Sequence, residues 1–166
     1  KIIASSESLY YKDEDWGNHN LYKSFGPVLH GLYNEKLIVC AGVMAGEIQT
    51  MVDLFLNISL LCDAASSHHI EGGGGPDQAA YNILTGMNPY KDITQVTASE
   101  DGWAAQLGST GPHIAHKYSS RWTEPAPILV GDTVCTSTGN PFAIVHQYDR
   151  IAEWKHILEN KYLKRD

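Results

Sequence analysis

An α/β fold is predicted by three features of the chain. Leu37-Ile38-Val39-Cys40-Ala41 is a compact, β-branched-rich run that suits a buried strand. A helical apolar spacing follows it from Glu47 to Cys62. Further short strand-like runs then alternate with helical stretches, giving the order strand, helix, helix, strands, helix without an internal repeat.

The elements can be justified in order. Lys1–Ser5 reads as the end of a strand. Residues 7–27 are polar, aromatic and turn-rich, with Trp16-Gly17-Asn18 and Phe25-Gly26-Pro27 as breakers, so a loop with a short helix is expected. Gly42-Val43-Met44-Ala45-Gly46 reads as a tight turn after the strand at 37–41. In the next helix, Ile48, Met51, Val52, Phe55, Leu56 and Leu60 keep helical spacing, and Glu47 stands where the dipole favours an acid. Residues 66–75 form a loop ending in four glycines, and Pro76 starts a second helix that Gly86 stops. Strands are expected at 93–97, 133–137 and 142–146, the last after the turn Thr138-Gly139-Asn140-Pro141, with residues 108–127 as loop. A final amphipathic helix over 150–163 carries Ile151, Trp154, Ile157, Leu158 and Tyr162 on one face.

Composition narrows the function. The 166 residues fit one ordinary domain, and 43% hydrophobic with 19% charged residues is a globular balance. A net charge of -7, with basic residues grouped only at 161–165, excludes a phosphate-backbone partner, so no nucleic acid is expected. The apolar stretch 51–62 is broken by Asp53, Asn57 and Ser59, so no membrane segment is expected. No leader is legible after Lys1, and the chain reads as a fragment or processed piece. Cys40, Cys62 and Cys135 stand far apart in apolar surroundings and read as small buried hydrophobes.

Two segments carry possible chemistry. In Phe142-Ala143-Ile144-Val145-His146-Gln147-Tyr148-Asp149-Arg150 an apolar strand delivers an imidazole and then polar groups. His146 there can ligate a metal while Asp149 and Arg150 meet neighbouring oxygens. The plainer reading makes His146 a strand cap, Asp149 a helix N-cap and Arg150 half of a surface ion pair. In Gly75-Pro76-Asp77-Gln78-Ala79-Ala80-Tyr81-Asn82, Asp77 and Gln78 occupy a first helical turn. A carboxylate held ionised there can accept a proton or bind hydroxyls, although Asp is also simply favoured at helix starts.

The run 38–46, the Asp77-Gln78 helix start and His146-Gln147-Tyr148-Asp149-Arg150 together resemble the second half of GT-A-fold glycosyltransferases, over nearly the whole chain. That resemblance implies a single acceptor-side domain over residues 1–166, a partial GT-A α/β fold with a mixed sheet flanked by helices. It also implies sugar transfer from a nucleotide-sugar donor to a glycan or other hydroxyl acceptor. By it, His146 is the ligand of a divalent metal (Mn²⁺ or Mg²⁺), and Asp77 with Gln78 is catalytic. Gly42, Gly46, Trp103, Gln147, Asp149 and Arg150 then bind donor or acceptor, with the glycines admitting close approach. The sequence does not fix a compartment; as part of a longer protein the chain would be cytoplasmic or Golgi-lumenal. The sequence departs from the group at Ala41 and at Gly72–Gly75.

GT-A enzymes carry an Asp-x-Asp pair at a strand end. The literal match here, Asp13-Glu14-Asp15, follows Tyr10-Tyr11-Lys12 and aligns with a downstream loop, which puts the nucleotide-binding strands before Lys1. His68-His69 and His113-Ile114-Ala115-His116 are weaker metal pairs. Cys40 or Cys135 with His146 lacks the setting that lowers a thiol pKa. A carbohydrate-binding or interaction module without catalysis is the rival reading.

Overall fold

A computed structural model describes residues 1–67 and 74–163; the His68-His69 pair and Gly72–Gly73 lie outside them. The chain forms two compact units: Lys1–Ala4 with Leu9–Val96, and Ser5–Ser8 with Thr97–Asp166. Both mix short sheets with helices, as the α/β expectation requires. Among the described residues no helix is long and apolar enough to cross a membrane.

Strand β1 (Ile2–Tyr10) gives its two ends to the first unit and Ser5–Ser8 to the second, and it lies between β2 and β3 in its sheet. The expected strand end at 1–5 is therefore a full strand. Its pattern is hidden in the sequence because Ser5, Ser6 and Ser8 are buried as thoroughly as Ile2, Ala4 and Leu9. A short 3₁₀ turn, Tyr11–Asp13, leads into helix α1 (Asp15–Tyr33), where a loop was expected. Glu14 starts α1: its carboxylate accepts from the backbone N–H of Trp16 at 3.0 Å and of Gly17 at 2.5 Å. The expectation for residues 7–27 failed because the cap is a Glu and the breakers act inside the helix. Gly26, at φ 74° and ψ 179°, folds α1 into two arms, and Pro27 opens the second.

The fold-back is visible in side-chain pairs. His30 Nε2 lies 3.0 Å from Asn18 Oδ1, and Asn18 Nδ2 donates to Asn34 Oδ1 at 2.8 Å. Residues as far apart as 18 and 30 would be about 18 Å apart on a straight helix. The Gly26 conformation is open essentially to glycine alone, so Gly26→Ala is expected to cost about 1–3 kcal/mol in urea unfolding. Val28→Ala, at an exposed site in the second arm, should stay within about 0.5 kcal/mol. An equal effect of both would mean that the bend is not held by this backbone state.

β2 (Leu37–Gly46) runs through the segment expected as a turn. Gly46 is needed by the strand itself: a Cβ there would stand 2.6 Å from the Lys1 carbonyl oxygen. Helix α2 (Ile48–Asp63) matches its expected bounds closely, and so do α3 (Asp77–Thr85), with Gly86 at its C-cap, and β3 (Thr94–Thr97). Successive residues of β2 feed opposite faces of the sheet. Val39 packs with Ile2, Ala4, Leu54, Tyr81 and Tyr90. Ile38 packs with Tyr11, Leu21, Tyr33, Ala79 and Ile83. Helix α3 contributes to both clusters because it lies along the edge of β2. There, Asn82 Oδ1 accepts from Val39 N–H at 2.8 Å and Asn82 Nδ2 donates to Val39 O at 2.7 Å. Gln78 Oε1 accepts from Ala41 N–H at 3.4 Å. Side-chain amides thus take the place of a neighbouring strand.

In the second unit, β4 (Ala104–Gln106) is followed by short helices α4 (Leu107–Thr110) and α5 (Ala115–Tyr118), within the expected loop. β5 (Ile128–Val130) and β6 (Thr133–Cys135) form an antiparallel hairpin whose turn includes Gly131 at φ 62°. β7 (Ile144–His146) pairs in parallel with β4, and α6 (Ala152–Tyr162) closes the described chain. The last two expected strands are shorter than predicted, since Ser137 and Phe142 fall outside the ladders. The core joins Ala105, Leu107, Val134, Phe142, Ile151 and Leu158, with Trp154 packed against it as its spacing predicted. Tyr162 departs from that face and is exposed. All three cysteines are free; Cys40 and Cys135 are buried.

Candidate functional site at the end of two parallel strands

The parallel pairing of β4 and β7 sets the register Ala104 to Ile144, Ala105 to Val145 and Gln106 to His146. Paired residues of a parallel ladder share a face, so the side chains of Gln106 and His146 emerge side by side at the carboxyl end of the two strands. That end is where α/β folds place ligands, because both chains must turn away there and expose backbone. The turn after His146 is abrupt. Gln147 adopts a left-handed conformation, φ 56° and ψ 36°, and a 3₁₀ turn over Tyr148–Arg150 follows. The Gln147 side chain lies against Gly108, where a Cβ would come within 1.7 Å of Gln147 Oε1.

His146 is half-buried, and burial pushes its pKa below the ordinary value; Asp149 opposes this and the Arg150 charge adds to it. The imidazole is therefore held neutral at neutral pH, the form that offers a lone pair. Arg150 also bears on His113, whose pKa is lowered by burial, then by Arg150, then by His116. Gln106 is 2% exposed. Its Nε2 donates to Ser5 Oγ at 2.9 Å, while its Oε1 has no partner among the described residues. An unmet buried acceptor beside an imidazole suits a donor such as a water or hydroxyl.

Four of the sequence-derived site residues therefore come together here: His146, Gln147, Asp149 and Arg150. Asp149 is not the N-cap of the final helix, since α6 begins at Ala152 after Ile151. Trp103 precedes β4 and its carbonyl accepts from Ile144 N–H at 3.0 Å, so it belongs to the opposite end of the strand pair. The remaining residues belong to the first unit. Asp77 is exposed in the first turn of α3, where its charge helps raise the Cys62 thiol pKa after burial has done so. Gln78 is engaged by Ala41, Gly42 is exposed, and Gly46 meets Lys1. Asp13-Glu14-Asp15 runs from the end of the 3₁₀ turn after β1 into the first residue of α1, and Glu14 is occupied as the α1 cap.

Among the described residues no three His, Cys, Asp or Glu side chains converge on a metal position. The second unit offers His146 as a neutral donor, with Asp149 near in sequence. A divalent ion held there would need further oxygens, such as those of a diphosphate. Sequence reasoning missed Gln106, Gly108 and Ser5. The one available signal was a lone amide between the apolar pair Ala104-Ala105 and Leu107, with Gly108 next. No protein-family model, curated protein or solved structure matches the chain. Function therefore rests on the site and on the motif resemblance.

Proposed function

We propose that this chain is the acceptor-side part of a metal-dependent, nucleotide-sugar glycosyltransferase of the GT-A type. The observation that carries the reading is the position of His146-Gln147-Tyr148-Asp149-Arg150, the most specific string in the sequence, at the carboxyl end of a parallel strand with its imidazole held neutral. Arg150 supplies a fixed positive charge beside that imidazole, suited to diphosphate oxygens. Gln147 and the unmet Gln106 Oε1 supply amide groups suited to hydroxyls. A bound divalent ion would neutralise the leaving diphosphate.

Calorimetric titration with UDP and then GDP, with and without Mn²⁺, tests the reading. Metal-dependent binding of one nucleotide is expected, and His146→Ala should weaken it at least about tenfold, the usual cost of losing a ligand or its orienting partner. A folded protein that binds neither nucleotide would sink the donor-site assignment. A second reading, glycan binding without catalysis, is favoured by the engagement of Gln78 with β2. It requires binding of free glycan that neither Mn²⁺ nor His146→Ala alters.

A further inference from the structure

Helix α2 is apolar on two sides. Its inner side, Met51, Leu54 and Ile58, packs with the core of the first unit. Its outer side presents Ile48, Val52, Phe55, Leu56 and Leu60, each 50% to 75% exposed. A helix that is apolar around most of its circumference is stable when both sides are covered. Ile48, Val52, Leu56 and Leu60 recur at every fourth residue and so form one unbroken ridge, with Phe55 and the small Ser59 beside it.

We infer that α2 is the self-association surface of this protein and that its occupant is α2 of a second copy, packed antiparallel about a two-fold axis. The ridge is self-complementary under that operation. Ile48 meets the second copy's Leu60, and Val52 meets the second copy's Leu56, the isologous pattern of a closed dimer. Area permits this: with the roughly 200 Å² of an aromatic side chain as a ceiling for each residue, the exposed stripe offers at most on the order of 600 Å² per copy. A pair would then bury up to about 1,200 Å², against the roughly 1,000 Å² that a specific interface needs.

Charge does not oppose the pairing. Asp53, the acidic residue nearest the middle of α2, accepts a hydrogen bond from the Tyr90 hydroxyl, whose pKa is pushed up to about 12 by burial and then by Asp53 itself. Asp63 lies beyond the end of the ridge. A membrane fits this face less well, because α2 has no Lys or Arg to meet anionic headgroups.

Sedimentation velocity across a range of micromolar concentrations reads the outcome. The intact chain is expected to sediment as a concentration-dependent dimer. Leu56→Lys and Ile48→Lys should each weaken association about a hundredfold or more by placing an unpaired ammonium in the seam, with unchanged circular dichroism. A chain that stays monomeric at the highest concentration overturns the inference. So does a dimer that both variants preserve. Co-sedimentation of a monomer with phosphatidylcholine vesicles, lost in Leu56→Lys, would assign the face to a membrane and overturn it as well.

Discussion

Asn82→Leu is expected to lower stability by about 3–5 kcal/mol, a large part of the roughly 5–15 kcal/mol available to a folded domain. Asn82 is nearly fully buried and makes three hydrogen bonds: it accepts from Val39 N–H, donates to Val39 O, and donates to Gln78 O at 2.8 Å. Leucine preserves the volume and removes all three. Two backbone groups of buried Val39 are then stranded, at about 1–3 kcal/mol each. Gln78→Met is the matched control. Ala41, the partner of Gln78, is only half-buried and its hydrogen bond is long at 3.4 Å, so the loss should stay under about 1 kcal/mol. Urea unfolding measures both, and hydrogen exchange at the Val39 amide localises the effect. A loss below 1 kcal/mol for Asn82→Leu would mean that the open edge of β2 finds other partners and that α3 does not hold it.

The same residue marks how far the sequence could be read. The pattern of β2, α2 and α3 is local, with β-branched residues in a run and apolar residues at helical spacing, so these elements were legible. The use of Asn82 and Gln78 as substitutes for a strand was not, because their partners lie on β2, far along the chain. β1 escaped because its middle is packed with serines, which composition assigns to the surface although they are buried here. α1 escaped because Gly26 and Pro27 read as breakers, while the structure uses them to fold one helix back on itself. At the candidate site the His146 side was visible as a polar string after an apolar run. The Gln106 side was not, since only the pairing of β4 with β7 brings it alongside.

Leu54→Ala should cost about 3–5 kcal/mol, the usual range when a buried leucine is truncated and its site cannot collapse. Leu54 is 0% exposed and packs among Ile2, Ala4, Val39, Tyr81 and Tyr90, drawn from two strands, a helix and a turn that fix the walls of the space it fills. Leu56 stands two residues further along the same helix, roughly 200° around it, and is 61% exposed. Leu56→Ala should therefore shift the stability of the dilute monomer by no more than about 0.5 kcal/mol. It should instead reduce the dependence of apparent stability on protein concentration, because an interface contributes by mass action rather than through the fold. Unfolding curves for both variants at low and high concentration separate these effects. If Leu56→Ala costs as much as Leu54→Ala in dilute solution, the outer stripe is covered within the protomer, and the two faces of α2 do not divide between core and interface.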